Sequence, residues 1–161
     1  MDDGGGAVGA DLSIRPLEEK DIDELVEMER RCFDDPWTRG QFLQELASPQ
    51  ALSSFYVMLS GDLLVAYGGF WVQFDEAHVT NLAVREGWRR RGVGGRMLAY
   101  LLKEAAGRGL GAALLEVRPS NAAAIRLYKR FGFRRVAVRS RYYARTGEDA
   151  VVMMADLGPF A

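Results

Sequence analysis

Apolar residues recur along this chain in two rhythms, one every second residue and one every third or fourth, and the switches between them divide it into elements. Leu12, Ile14 and Leu17 mark a short first strand closed by Pro16. Ile22, Leu25, Val26 and Met28 then fall at helical spacing up to Phe33, with Asp21 placed to cap that helix. The run Asp34-Asp35-Pro36-Trp37 stops it, and Thr38 with Gln41 three residues later predicts a capping box for a second helix ending before Pro49. Two β-rich runs, 55–59 and 63–74, flank Ser60-Gly61-Asp62 and predict a hairpin, which 76–84 extends as a third antiparallel strand. Helical spacing returns at Val93, Met97, Leu98, Leu101 and Leu102 over 92–106, ended by Gly107, Gly109 and Gly111. Residues 112–117 read as a short apolar strand, and 121–131 as a helix with Asn121 as N-cap and Gly132 as its stop. Runs 134–143 and 149–154 predict a closing hairpin that turns at Thr146-Gly147.

This order is a mixed α+β layout with one central β-α-β-α unit, and alone it names no function. At 161 residues the chain fits a single domain, expected over 11–157 with a flexible tail at 1–10 and a short one at 158–161. A composition 48% hydrophobic and 27% charged suits a folded globular protein rather than a disordered one. The 21 basic and 22 acidic side chains nearly cancel, so no general attraction to nucleic acid or membrane is expected and any anion site must be local. Cys32 is the sole cysteine, which forbids an intrachain disulfide and favours a reducing compartment; beside Phe33 on an amphipathic helix it reads as a small buried hydrophobe. The start, Met1-Asp-Asp-Gly-Gly-Gly-Ala, has no basic n-region or apolar h-region, and no apolar stretch approaches the ~20 residues that span a bilayer, so a cytoplasmic protein is expected. His78, the only histidine, has no acidic or cysteine neighbour at ligand spacing and reads as a satisfied residue; no metal is expected. Arginines 134, 135, 139, 141 and 145 make the closing hairpin basic, by default a solvated face.

Local chemistry begins at Arg89-Arg90-Arg91-Gly92-Val93-Gly94-Gly95, between the strand Asn81-Leu82-Ala83-Val84 and the next helix. Glycines let a backbone approach a ligand, a helix N-terminus offers unpaired N–H groups, and three arginines add charge-assisted bonds. The combination suits a pyrophosphate. In its setting between strand and helix, Arg89-x-x-Gly92-x-Gly94 resembles the Gln/Arg-x-x-Gly-x-Gly/Ala signature of the GNAT acyltransferases. The resemblance implies the GNAT fold, a mostly antiparallel mixed sheet with a splayed parallel strand pair and flanking helices, and acetyl-CoA lying in the splay. It further implies that Leu82, Ala83 and Val84 offer backbone groups to the pantetheine arm and acetyl carbonyl, and that Arg90, Arg91, Gly92, Val93, Gly94 and Gly95 hold the pyrophosphate.

A second segment carries candidate chemistry. Glu116 interrupts an otherwise apolar strand, and a buried unpaired carboxylate costs several kcal/mol; the plainer alternative pairs it with Arg118 or Arg126. Tyr128 lies on the helix packing back along that strand, facing a cleft or else belonging to a core stripe with Ile125 and Phe131. The run Leu115-Glu116-Val117-Arg118-Pro119-Ser120-Asn121, with Leu127-Tyr128 and Gly132-Phe133, resembles N-terminal acetyltransferases of the RimI type. That resemblance implies Glu116 as proton acceptor, Tyr128 as proton donor and Asn121 as a cofactor contact. It also implies that Pro36-Trp37 and Arg141-Tyr142-Tyr143 wall a groove for the first residues of a peptide, with Trp37, Tyr142 and Tyr143 as substrate contacts; otherwise Tyr142 and Tyr143 are an edge-strand aromatic pair. The implied reaction is acetylation of a protein N-terminus, alanine of a ribosomal protein in the family at large. The alternatives are a lysine or small-molecule amine, or a non-catalytic acetyl-CoA-binding module.

Overall fold

The computed structural model describes residues 11–161, so the tail expected over 1–10 lies outside the described residues. Seven strands form one sheet, ordered β1 (Leu12–Pro16), β2 (Ser53–Ser60), β3 (Leu63–Gln73), β4 (Glu76–Val84), β5 (Ala112–Val117), β7 (Ala150–Asp156) and β6 (Arg134–Arg139). Every neighbouring pair is antiparallel except β4 and β5. This is the expected mixed sheet with a single parallel pair. Four helices flank it: α1 (Ile22–Cys32), α2 (Arg39–Ala47), α3 (Val93–Gly107) and α4 (Ala122–Arg130).

The helical stripes of the sequence become two cores. On one face of the sheet, Met97, Leu98, Leu101 and Leu102 of α3 pack with Phe70, Ala113, Leu115 and Met153, and α4 leans on the same cluster through Leu127, Tyr128 and Phe131. On the other face, Ile22, Leu25 and Met28 of α1 and Phe42 of α2 close over Phe55, Val57, Leu64 and Tyr67. Each large apolar side chain so buried contributes about 1.5–3 kcal/mol.

Thr38 and Gln41 form the reciprocal capping box at the start of α2. Asp21 behaves differently from its expected role. A 3-10 turn, Glu19–Asp21, feeds directly into α1, and the Asp21 carboxylate accepts the Glu18 N–H at 2.9 Å and both terminal nitrogens of Arg15 at 2.7 and 2.8 Å. It closes that turn instead of capping α1. The closing hairpin is also shorter than predicted, because β6 ends at Arg139 and Arg141 takes a left-handed φ of 50°. Tyr142 and Tyr143 therefore lie on the β6–β7 loop and not on an edge strand. Gly158–Phe160, expected as a tail, forms a 3-10 turn whose Phe160 packs on the core.

One irregularity positions everything that follows. β4 pairs with β5 only from Glu76↔Ala112 to His78↔Leu114, and the strands part beyond that point. Against β3, Phe70 faces Val79 while Gly69 faces Asn81, so Thr80 is an extra, bulged residue that bends β4 away. Glycine is needed opposite the bend: a Cβ on Gly69 would sit 2.4 Å from the Phe55 ring, and one on Gly68 would sit 2.9 Å from Leu101.

Candidate active site

The splay between β4 and β5 opens at the N-terminus of α3. Residues 82–84 are paired with β3 on one side only, so their other backbone edge faces the opening. Leu82 and Val84 point their side chains towards the α3 core while Ala83 is buried in the α1–α2 core, which leaves the backbone as the feature presented to a ligand. The loop then reverses through Gly92 at φ 77°, the N-cap of α3. A Cβ on Gly92 would meet nothing within 4 Å, whereas Gly94 and Gly95 let Val84, Leu127 and Phe131 close on the helix from behind. No side chain caps the N-terminus of α3, so the N–H groups of its first turn lack helical partners, an arrangement that fits a pyrophosphate. Arg90 and Arg91 are exposed on this loop, Arg91 over the Trp88 ring at 5.2 Å. Arg89 turns back instead, donating to the Val84 carbonyl and to Cys32 Sγ.

Glu116 stands on β5 with its side chain only 5% exposed. Its Oε2 shares a 2.5 Å hydrogen bond with His78 Nε2 of β4, the last residue before the strands part. Oε1 is buried without a hydrogen bond, 3.4 Å from the Arg139 guanidinium. Neither partner is one that sequence reasoning considered: Arg118 is committed to Thr146 and Glu148, and His78, read as a satisfied residue, is satisfied by Glu116 itself. The pair joins residues 38 apart in the chain, so no local spacing signals it.

An aromatic floor runs away from this carboxylate. His78 meets the edge of Trp71 at 6.0 Å between ring centroids, Trp71 lies 6.4 Å from Trp37, and Trp37 packs on Phe42 and Phe55. Trp37 is thus anchored in the α1–α2 core. Tyr142 and Tyr143 meet edge to face at 5.0 Å, with Arg139 5.8 Å from the Tyr142 ring. Arg118 joins the β6–β7 loop to the loop that carries Trp37. Its guanidinium lies 4.0 Å from the Tyr143 ring centre, bonds Thr146 and Glu148, and reaches Asp34 of the Trp37 loop at 3.8 Å.

Tyr128 projects from α4 against Phe133, their rings 5.7 Å apart, and burial followed by the nearby Tyr143 pushes its phenol up to about 12. Burial, then Tyr142, pushes the Tyr143 phenol up to about 12 as well, with Glu116 adding to the effect and Arg118 opposing it. Glu116, Tyr128, Tyr142 and Tyr143 therefore share one neighbourhood. Asn121 caps α4 by accepting the Ala124 N–H at 3.1 Å.

A splayed parallel pair, a glycine-turned helix N-terminus and an adjacent carboxylate invite comparison with known acyltransferases. Residues 22–133 match the Acetyltransferase (GNAT) family. The chain belongs to the GNAT acetyltransferases. It is 38% identical over 153 residues to the N-alpha-acetyltransferase RimI of Mycobacterium tuberculosis, covering 91% of this chain and 94% of the relative. It is 34% identical over 143 residues to the [ribosomal protein bS18]-alanine N-acetyltransferase of Escherichia coli, covering 88% and 95%. The crystal structure of the Escherichia coli ribosomal-protein-S18-alanine N-acetyltransferase superposes with a TM-score of 0.82 at 32% identity, over 91% of this chain and 94% of that one. The chain is accordingly an acetyl-CoA-dependent acetyltransferase, and RimI-type enzymes are among its relatives. Among the described residues no helix is long and apolar enough to cross a membrane.

Proposed function

We propose that this GNAT enzyme acetylates the α-amine of a protein N-terminus, with the N-terminal alanine of a ribosomal protein as its substrate and the cytoplasm as its place of action. The observation that carries this reading is the buried Glu116–His78 pair, with the Trp71–Trp37 aromatic run beside His78 and the Tyr142–Tyr143 pair near Glu116; we read the space between them as a peptide groove. Such a groove admits an extended chain end and sets its amine beside a buried carboxylate.

An α-amine with a pKa of about 7.7–8.0 is largely protonated at neutral pH, so a base must take its proton before attack. Glu116 does this through Oε1, the oxygen that has no hydrogen bond, while Oε2 stays tied to His78. Arg139 and His78 hold the carboxylate in place, and the imidazole of His78, bonded to it, offers the proton a way out. Acetyl-CoA supplies the activated thioester, held by the edge of 82–84 and by the first turn of α3, with Asn121 at the start of α4 as a further contact. N–H groups on the free edge of β4 stabilise the oxyanion without a further side chain. Tyr128, protonated throughout the working range, donates a hydrogen bond to the departing sulfur as the C–S bond breaks.

The deciding experiment compares two peptide sets by mass spectrometry. Peptides starting with alanine and carrying blocked lysines are acetylated, and the same peptides with a blocked N-terminus and free lysines are poor substrates. Glu116→Gln abolishes the first activity near neutral pH and recovers part of it at higher pH, where more amine is already neutral. Preferential labelling of internal lysines would overturn the N-terminal assignment.

A further inference from the structure

Beneath the splayed half of β4 lies a polar cluster that the reaction above does not use. Glu29 of α1 is 1% exposed, Asn81 of β4 5% and Tyr67 of β3 0%. Asn81 Nδ2 donates to Glu29 Oε1 at 2.8 Å. Tyr67 OH and Asn81 Oδ1 are buried without a hydrogen bond. Stability gives no reason for this arrangement, because well-packed apolar side chains in place of a buried ionic or polar cluster are often neutral or stabilising. Position gives one. Asn81 is the first residue after the Thr80 bulge and immediately precedes Leu82, Ala83 and Val84. One turn further along α1, Cys32 Sγ lies 3.8 Å from the Val84 carbonyl. A single helix thus grips β4 at both ends of the segment that borders the opening, where no β5 partner holds it.

We propose that Glu29 is a positioning residue for the acetyl-CoA strand: through its bond to Asn81 it fixes where the free edge of residues 82–84 stands, and so where the thioester is received. The inference rests on the reading of 82–84 as the cofactor strand. Without the bond, a strand paired on one side only is free to relax towards β5 and narrow the splay.

The test uses Glu29→Gln, which keeps an acceptor oxygen for Asn81, and Glu29→Leu, which removes it. Asn81→Ala breaks the same bond from the other side should Glu29→Leu fail to fold, and the double variant of Glu29→Leu with Asn81→Ala measures coupling. Folding is checked by circular dichroism, acetyl-CoA affinity by calorimetry, and turnover by KM for each substrate. Glu29→Leu and Asn81→Ala are each expected to weaken acetyl-CoA binding and raise its KM about ten-fold, because a relaxed strand must be drawn back into place before the cofactor binds. The double variant loses no more than either single one. Glu29→Gln stays within about two-fold of wild type and the peptide KM does not move. A folded Glu29→Leu variant with wild-type acetyl-CoA affinity, or losses that add independently in the double variant, overturns the proposal. In that case a Gly94→Asp variant that still loses affinity leaves the cofactor site standing, whereas normal binding in Gly94→Asp too overturns site and inference together.

Discussion

Tyr128 carries a phenol that burial, and then Tyr143, push from the ordinary value of 10 up to about 12. It is therefore loaded with its proton at every pH at which the enzyme works, and its contribution is lost only as pH rises through about 12. Donation to a thiolate whose own pKa is nearer 8.5 is uphill, so the phenol acts chiefly as a hydrogen-bond donor to the developing charge. Tyr128→Phe is expected to lower kcat by about 10²–10⁴-fold with little change in acetyl-CoA affinity, and no alkaline limb from Tyr128 should appear in the wild-type profile below about pH 10. Near-normal turnover combined with a lowered melting temperature would make it a packing residue instead. Glu116 was legible in the sequence because a carboxylate in the strand Ala112–Val117 has no local excuse. His78 and Arg139 were not, because their connection to Glu116 exists only once β4, β5 and β6 lie in one sheet. The expected alternative partner, Arg118, sits two residues from Glu116 but is drawn off by Glu148, Thr146 and the Tyr143 ring.

Between elements, the glycine loop shows how a short motif divides its labour. Gly92 supplies the left-handed turn, and Gly94 lets α3 lie against Val84, whose Cγ2 would be 3.4 Å from an added Cβ. Gly94→Asp crowds that contact and sets a negative charge at the first turn of α3, where the proposed site receives the pyrophosphate. An acidic residue in the first turn of a helix is otherwise favourable, so the fold should survive. The expected result is a folded variant whose acetyl-CoA affinity, measured by calorimetry, falls on the order of 100-fold through lost phosphate contacts and like-charge repulsion. Unchanged affinity would remove this loop from the cofactor site. The same scale marks what local sequence can say about structure. Thr38 and Gln41 cap α2 as their spacing predicts, because a capping box is complete within four residues. Asp21 deceived because Arg15 and the Glu18 N–H, both upstream, compete for its carboxylate. The end of β6 was missed because nothing in Arg139-Ser-Arg-Tyr-Tyr announces the left-handed residue at Arg141.

At the scale of the molecule, strand order follows from side-chain character more than from hairpin logic. β7 is apolar on both faces and fits between β5 and β6, whereas β6 carries Arg134, Arg135 and Arg139 and is exposed along its whole length, as suits an edge. The same assembly buries Glu29, a cost that reports on the fold as a whole. Burial pushes its carboxyl up to about 7, against the opposing influence of the Tyr67 hydroxyl and the Asn81 hydrogen bond. Tyr67 faces it from β3 and Asn81 from β4, and the Tyr67 phenol, itself raised well above 10 by burial, stays neutral beside it. An acid whose folded pKa lies above its unfolded one binds its proton more tightly when folded, so its contribution is fully present below about 4.5 and is lost as pH rises through about 7. Asp21 has the opposite sign. Burial works against its charge but the bonds from Arg15 and Glu18 prevail, so its lowered pKa gives stability above about 4 that is lost as pH falls. Stability should therefore be greatest on the acid side of neutrality. Between pH 5 and pH 8 the wild-type protein is expected to lose about 2–3 kcal/mol of unfolding free energy through Glu29, most of what a carboxyl moved from about 4.5 to about 7 can contribute. Glu29→Gln keeps the volume and the Asn81 bond but has no proton to release, so its unfolding free energy should be flatter by that amount over the same interval. Urea denaturation of both proteins at matched ionic strength measures the difference, in which every other titrating group cancels. Parallel profiles would show that the Glu29 carboxyl ionises as easily in the folded protein as in the unfolded chain, and would overturn the expectation that burial raises its pKa.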